Sequence, residues 1–570
     1  MTALFTPMHI GNVEIRNRVV MPAMVTRLAD AEGHVTDATI AYFKARAAGG
    51  VGLITTEMAS PERVGRHRAR EIGIYDDRFL PGLTRLVKEI HSCGAKASIQ
   101  IGHAGGHTRE DICGEPPIAP SAVPHYVFDV VGKTIIPIAM TKERIAQCVL
   151  AFAAAARRAR EAGFDCVELH VANGYLLSQF LCPEENRRDD EYGGSLANRA
   201  RISMEILQQI KREMPGFPVV FRLSADDLFP TGLQFPEALE VAKWAAAGGA
   251  DAIHVTAGHY RSLPSPQIKS PPMACAEGIF LDYAARIKAE VRVPVIAVGR
   301  LGNPAVAMAA LDSGKADFVA LGRSLIADPE WVEKVRLGKA VRRCLACNSC
   351  SDEMRGGDRL GCLVNPLAAH EIEFAAASTV PQGERVCVIG AGPAGLSYAS
   401  LIAPGNHVTV FERENAPGGA FRYAGRVPRF QEVEANQEPL NAYIGELERE
   451  CKENGVIFKY GVDASRVPGA LRGFDRVVIA TGARYRYGLG VLVASLLRLG
   501  WGKSAIMRRF FSSEWLRNWF YHGARQGTGD AYRKLGTPGQ KVVVIGDAVR
   551  AGKGKAAIAS AFRAAYGQNP

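Results

Sequence analysis

Along roughly the first 340 residues, short apolar runs alternate with amphipathic stretches. The runs are VVMPAM (19–24), VGLITTE (51–57), KASIQIG (96–102), CVELH (166–170), PVVFRLS (218–224), AIHVTAG (252–258), PVIAVGR (294–300) and DFVALGR (317–323). Short, bounded and rich in β-branched residues, they read as buried strands. Between them lie segments such as ERIAQCVLAFAAAARRAREAG, whose apolar positions recur at helical spacing. Strands alternating with helices predict a parallel sheet with right-handed crossovers. Eight such units predict a closed (β/α)8 barrel over 1–340, with its active site at the C-terminal strand ends. The fourth run leads into ELHVANGYL, Glu168 to Leu176, which sets His170, Asn173 and Tyr175 on that face.

The pattern changes after the barrel. In a cysteine-rich segment and linker over 341–380, Cys344, Cys347 and Cys350 are spaced C-x2-C-x2-C, and Cys362 follows. Four close thiolates suit a [4Fe–4S] cluster or a zinc ion, and spacing alone does not choose between them. Over 381–570 the chain reads as a Rossmann-like nucleotide domain. VIGAGPAG supplies Gly390, Gly392 and Gly395 between a strand and a helix, and Glu412 ends the next strand, HVTVFE. This is the pattern that seats a pyrophosphate at a helix N-terminus and a ribose on an acid. GGAFR (418–422, with Gly419), VVIATGA (477–483) and VVVIGDA (542–548) resemble the later motifs of FAD-binding disulfide-reductase-like domains. That resemblance gives Asp547 the flavin's ribityl chain. In the barrel, VGR and LGR end strands seven and eight, and make Gly299, Arg300, Gly322 and Arg323 candidate phosphate ligands.

Composition narrows the picture. With 570 residues, 47% hydrophobic and 22% charged, the chain reads as soluble, globular and multidomain. A net charge of +11 favours anionic ligands such as phosphates or CoA, or an acidic electron carrier. The basic residues are dispersed without a reader motif, so no nucleic-acid partner is expected. No secretory h-region and no long apolar span is visible, and the twelve cysteines then suggest a reducing, cytoplasmic setting.

NRVVMPAM, IQIGHAGG, ELHVANGYLLSQFLCPEENRRDDEYGGSLANR and ADFVALGRSLIADPE closely resemble the Old Yellow Enzyme family of FMN barrels. With the cysteine segment and nucleotide domain, the chain resembles that family's large iron–sulfur branch, the 2,4-dienoyl-CoA reductase, 2-enoate reductase and trimethylamine dehydrogenase group. The resemblance implies FMN, a [4Fe–4S] cluster and FAD (or ADP). It lays Pro22, Ala23 and Met24 along the FMN, and Gln100 and Arg222 at its pyrimidine edge. It gives His170 and Asn173 a substrate's carbonyl oxygen and makes Tyr175 the proton donor. His259 and Tyr260, in VTAGHYRSLPSP, are candidate second acids or substrate contacts. Val25 stands where relatives carry Thr or a flavin-linked Cys, which implies non-covalent FMN.

The implied activity is hydride transfer from FMN to an activated C=C of an enone, enoate or enoyl thioester. The alternatives are an amine dehydrogenase or N-demethylase passing electrons to an external carrier, and a subunit without catalysis of its own. The carrier would be an electron-transferring flavoprotein or a ferredoxin, and a homo-oligomer is expected. One segment departs from the family. Where a complete NAD(P)H domain normally interrupts, residues 484–540 show no second glycine fingerprint. They carry Trp501, Trp515 and Trp519 interleaved with Arg498, Lys503, Arg508, Arg509 and Arg517. This reads either as a basic–aromatic surface for a redox partner or a membrane, through 491–525, or as a helical cap on the domain.

Overall fold

The computed structural model describes residues 2–126, 134–376, 382–426, 436–486 and 519–570, with 495–496, 499–501, 504–513 and 515–516 between the last two. Each of the eight expected runs forms a strand: β1 (Val19–Met21), β2 (Leu53–Ala59), β3 (Lys96–Ile101), β4 (Cys166–Val171), β5 (Val219–Ser224), β6 (Ala252–Thr256), β7 (Val295–Val298) and β8 (Phe318–Ala320). They close into a barrel in chain order, β8 pairing with β1, and every pairing is parallel. Crossover helices make parallel pairing feasible, and their starts are fixed locally. Thr36 caps helix Asp37–Ala48 in a reciprocal box with Thr39, and Thr141 and Ser195 cap helices Lys142–Glu161 and Leu196–Glu213. Each such cap contributes about 1 kcal/mol.

The barrel interior is layered. Its lower layer comes from the first or second residue of six strands, Leu53, Cys166, Val220, Ala252, Ile296 and Phe318, against which Ile10 and Ile15 of the N-terminal hairpin pack. Burying a side chain such as Ile296 or Phe318 contributes roughly 1.5–3 kcal/mol. With this end filled by apolar groups, the polar side chains of the strands collect toward the other end.

The second unit holds β9 (Arg385–Ile389), β10 (His407–Glu412), β11 (Ile457–Tyr460), β12 (Arg476–Ile479), β13 (Ala483–Tyr485), β14 (Arg525–Gly527) and β15 (Lys541–Val544). Five of these form a parallel sheet in the order β11-β10-β9-β12-β15. The order reverses at β9, so the glycine turn after it lies at the sheet's switch point. Within the atypical insert, β13 pairs antiparallel with β14, and helix Ala505–Ser512 lies between them. Trp501, Trp515 and Trp519 are 59%, 70% and 38% exposed, and Arg509 is exposed. Arg498, Lys503 and Arg517, the side chain of Arg508, and 377–381 of the linker lie outside the described residues. Among the described residues no helix is long and apolar enough to cross a membrane. The chain divides into Met1–Gly361 with Ala368–Glu371, and Cys362–Leu367 with Ile372–Pro570. Cys344, Cys347 and Cys350 thus belong with the barrel, and Cys362 with the second unit.

Candidate active site

Alternation along β4 turns Glu168 and His170 to the same side of the strand. In register, Glu168 lies opposite Gln100, and His170 opposite Arg222, which lies opposite His254. The Glu168 carboxylate is 1% exposed. It accepts from Gln100 Nε2 at 2.6 Å and from His254 Nδ1 at 2.6 Å, with Arg222 Nη1 at 3.5 Å. Burial alone would push its pKa up, but His254, Arg222 and Gln100 outweigh burial and hold it at about 2. Above this cluster, Arg222 Nε and Nη1, His254 Nε2 and His170 Nδ1 are buried without hydrogen-bond partners. Each such group costs about 1–3 kcal/mol if nothing meets it. Together they form a surface made for a polar ligand edge. Burial, then the Arg222 charge, drives the His170 pKa well below its ordinary value, so His170 is a neutral imidazole.

The chain turns sharply after β4. Asn173 and Gly174 have φ of +62° and +82°. Asn173 N–H donates to Ser224 Oγ at 2.9 Å, and its Nδ2 donates to Gly258 O at 3.0 Å, leaving one amide hydrogen. A Cβ at Gly174 would lie 2.8 Å from His259 Nε2, so only glycine fits. The turn delivers Tyr175 to the start of helix Leu176–Leu181. Its hydroxyl lies 2.9 Å from Tyr260 Oη and 3.4 Å from His67 Nδ1, and its ring is 4.9 Å from that of His170. Burial first, then Tyr260, raises the Tyr175 pKa well above the ordinary phenol value, so it stays protonated. Lys269 Nζ sits 2.7 Å from the Tyr260 ring centre and the His107 ring 3.6 Å from it. Sequence reading missed His67, His107 and Lys269. The only signal was His107 following the quoted IQIGHAGG.

His259 diverges from its neighbour Tyr260. It is fully buried, with Nε2 3.3 Å from Glu185 Oε2, while Glu185 Oε1 meets Arg261 Nε at 3.0 Å and His125 Nδ1 at 3.6 Å. Cys182, Glu185 and His259 bring their ligand atoms within 4.8 Å of one another, the grouping of a metal site. The tautomer argues against one. His259 Nδ1 accepts from Arg261 N–H at 3.2 Å, which puts the ring proton on Nε2, facing Glu185. The structure thus turns His259 into a buried contact with Glu185, while Tyr260 meets Tyr175.

At the phosphate end, Gly299 and Arg300 have φ of +120° and +54°. Arg300 Nη1 donates to Met273 O at 3.0 Å and to Cys275 O. Arg323 Nη2 donates to Pro271 O at 2.8 Å, and its Nη1 donates to Asn348 Oδ1. Both guanidinium groups thus hold the 270–275 loop. A Cβ at Gly322 would lie 3.0 Å from Met24 Sδ and 3.3 Å from Pro22 Cγ, so the end of β8 packs on the Pro22–Ala23–Met24 stretch. The orphaned Arg222 nitrogens, this glycine-lined corner and the paired arginines fit FMN.

Thr26 donates to Glu57, whose burial raises its pKa from 4.5 to about 8. A raised acid favours folding fully below 4.5 and loses that advantage as pH climbs to about 8. Glu57→Gln is expected to remove this loss, up to ~1.4 kcal/mol per pH unit, in urea midpoints measured across that window.

The cysteine loop is shaped by Ala346 and Asn348, both left-handed at φ +51° and +55°. Burial first, then a neighbouring thiol, raises Cys347, and raises Cys350 to about 12. A metal bound there would supply the positive charge that lets such thiols ionise. In the second unit, Cβ atoms at Gly390 and Gly395 would strike Ala480 O at 2.6 Å and Gly390 O at 2.0 Å, whereas Gly392 meets only Gly419 Cα at 4.0 Å. The first and third glycines serve the turn and packing, and the second leaves room for a phosphate. Glu412 accepts from Ala391 N–H at 2.8 Å and Glu414 N–H at 2.9 Å, so main chain engages both of its oxygens. Asp547 pairs with Arg525 and accepts from Gly552 N–H at 3.1 Å.

Comparison with known proteins follows this division. The NADH:flavin oxidoreductase / NADH oxidase family matches residues 3–341. A NAD(P)-binding Rossmann-like domain matches 388–436. The NADH oxidase of Thermoanaerobacter brockii is 38% identical over 488 residues, 84% of this chain and 73% of that protein. The cinnamate reductase of Clostridium sporogenes is 33% identical over 85% of this chain and 74% of its own. Among solved structures, a 2-naphthoyl-CoA reductase superposes with a TM-score of 0.87 over all of both chains at 24% identity, a likeness of fold. With the barrel matched throughout and long relatives above 30% identity, the chain belongs to the NADH:flavin oxidoreductase / NADH oxidase family, as an FMN-dependent oxidoreductase.

Proposed function

We propose that the protein reduces an activated C=C beside a carbonyl, carboxylate or thioester. One observation carries this reading: a neutral phenol, Tyr175, hydrogen-bonded to Tyr260 and packed against a neutral His170 with an unpartnered nitrogen. Gln100 and Arg222 would hold the pyrimidine edge of FMN, Pro22, Ala23 and Met24 its face, and Gly299, Arg300, Gly322 and Arg323 its phosphate. Bound there, FMN supplies the hydride chemistry. His170 and the free amide hydrogen of Asn173 then grip the substrate oxygen and stabilise the negative charge it gains. Tyr175 gives its proton to the carbon across the double bond, and Tyr260 and His67 are placed to replace it.

Charge separates this reading from amine oxidation. His67, which touches Tyr175, lies in the field of the Arg68 and Arg27 guanidinium groups, whereas burial drives the Lys269 pKa well below its ordinary value. That field favours an electron-rich or anionic acceptor and opposes an ammonium group. A [4Fe–4S] cluster is assigned to the cysteine segment through Cys344, Cys347 and Cys350. FAD or ADP is assigned to the turn Gly390–Gly395, with Glu412, Gly419 and Asp547. An electron-transferring flavoprotein or ferredoxin is the proposed carrier.

The test is anaerobic. FMN, FAD, iron and sulfide are quantified, then NADH or NADPH is added and flavin absorbance followed. Bleaching reversed by cyclohexenone or cinnamate is expected. Bleaching by an N-methyl amine, with neither nucleotide effective, overturns the reading.

A further inference from the structure

We infer that Glu168 is a positioning residue that sets the charge presented to the barrel flavin. The inference rests on FMN binding above Arg222, as proposed in the preceding subsection. Its basis is the convergence of four strands on one carboxylate. Gln100 comes from β3, Arg222 from β5 and His254 from β6, and Glu168 on β4 lies between them. Both oxygens are used, at 2.6 Å to Gln100 Nε2 and 2.6 Å to His254 Nδ1, and Arg222 Nη1 stands 3.5 Å away. Arg222 Nε and Nη1 are left without hydrogen-bond partners. Glu168 therefore steers the two side chains assigned to the pyrimidine edge, and leaves Arg222 Nε clear while its charge lies 3.5 Å from Nη1.

The carboxylate also offsets the Arg222 cation. Two-electron reduction makes flavin an anion at N1, which a nearby cation stabilises. An ionised Glu168 beneath Arg222 weakens that effect and holds the flavin potential down. A hydride donor with a lower potential reduces a less activated C=C. Glu168 thus biases the site toward harder acceptors, at some cost in FMN reduction.

Glu168→Gln removes the charge and keeps the shape. Gln100 can turn its amide and His254 can change tautomer to meet the new amide, so the cluster has a route to staying satisfied. The holoenzyme is expected to retain FMN and to favour its reduced form about tenfold more, a rise of about 30 mV for a two-electron couple. Glu168→Asp keeps the charge but draws it away from Arg222, and is expected to give a smaller rise. The measurement is a dye-equilibrated reductive titration with FMN content determined in parallel. An FMN-loaded Glu168→Gln protein at or below the wild-type potential overturns the inference. If that variant does not load FMN, the Asp variant decides, and a potential at or below wild type overturns it equally. Wild-type protein without FMN would instead sink the proposed function itself.

Discussion

Replacing Tyr175 by Phe is expected to slow reduction of an activated C=C by about 10²–10⁴-fold, the usual contribution of a positioned general acid. Reduction of the flavin by a nicotinamide should be unchanged, because no proton from Tyr175 enters that half-reaction. The asymmetry is the informative part. The phenol stays protonated at working pH, since burial and Tyr260 both raise its pKa. It stands 2.9 Å from a second hydroxyl that can restore its proton. Tyr260→Phe keeps the donor and removes only this route, so a loss within about tenfold is expected. Stopped-flow measurement of the two half-reactions separates these outcomes. Equal slowing of both in Tyr175→Phe would mean that the tyrosine shapes the pocket and gives no proton.

Glu185→Ala is expected to destabilise the barrel by about 3–5 kcal/mol, the cost of breaking a buried pair from one side. Glu185 is 1% exposed and faces His259, Arg261 and His125 together. Removing it strands a buried imidazole whose remaining nitrogen already accepts from Arg261 N–H. The damage should also reach the active site, because His259 packs against Gly174, between Asn173 and Tyr175. Burial opposes ionisation of Glu185, but His259, His125 and Arg261 hold its pKa at about 2, below the ordinary 4.5. A depressed acid contributes stability above 4.5 and loses it as pH falls toward 2. Urea midpoints should therefore converge between wild type and Glu185→Gln in acid and separate near neutrality. Parallel curves across that range would show that the charge on Glu185 contributes nothing.

The barrel was legible because its strands are buried on both faces. VGLITTE and PVVFRLS announce themselves by composition, and their boundaries shifted by only a residue or two. The loop after β4 was legible as a long motif. Glu168 was not, although it opens that stretch, because its partners come from three other strands and no local spacing relates them. Lys269 and His67 were hidden for the same reason. Adjacency misled in the opposite direction at His259 and Tyr260. Consecutive residues in a loop point apart, and one meets Tyr175 while the other meets Glu185. Glu412 ends β10 and Asp547 follows β15, but sequence could not show that Ala391 N–H and Arg525 would engage their oxygens.

The short ribbon of β13 and β14 also bears on how this chain can be altered. Antiparallel pairing of Ala483–Tyr485 with Arg525–Gly527 brings the exit and return of the insert to about 5 Å, one strand spacing. Between ends already held together, each doubling of the span's length costs only about 0.6 kcal/mol. The ribbon is thus a graft point, where a whole folded module or a minimal turn could replace the interior while the paired ends stay in place. Any graft would have to keep Arg525, which leaves the ribbon to hold Asp547. It would also have to keep Gly527, where a Cβ would lie 2.5 Å from Ala548 O.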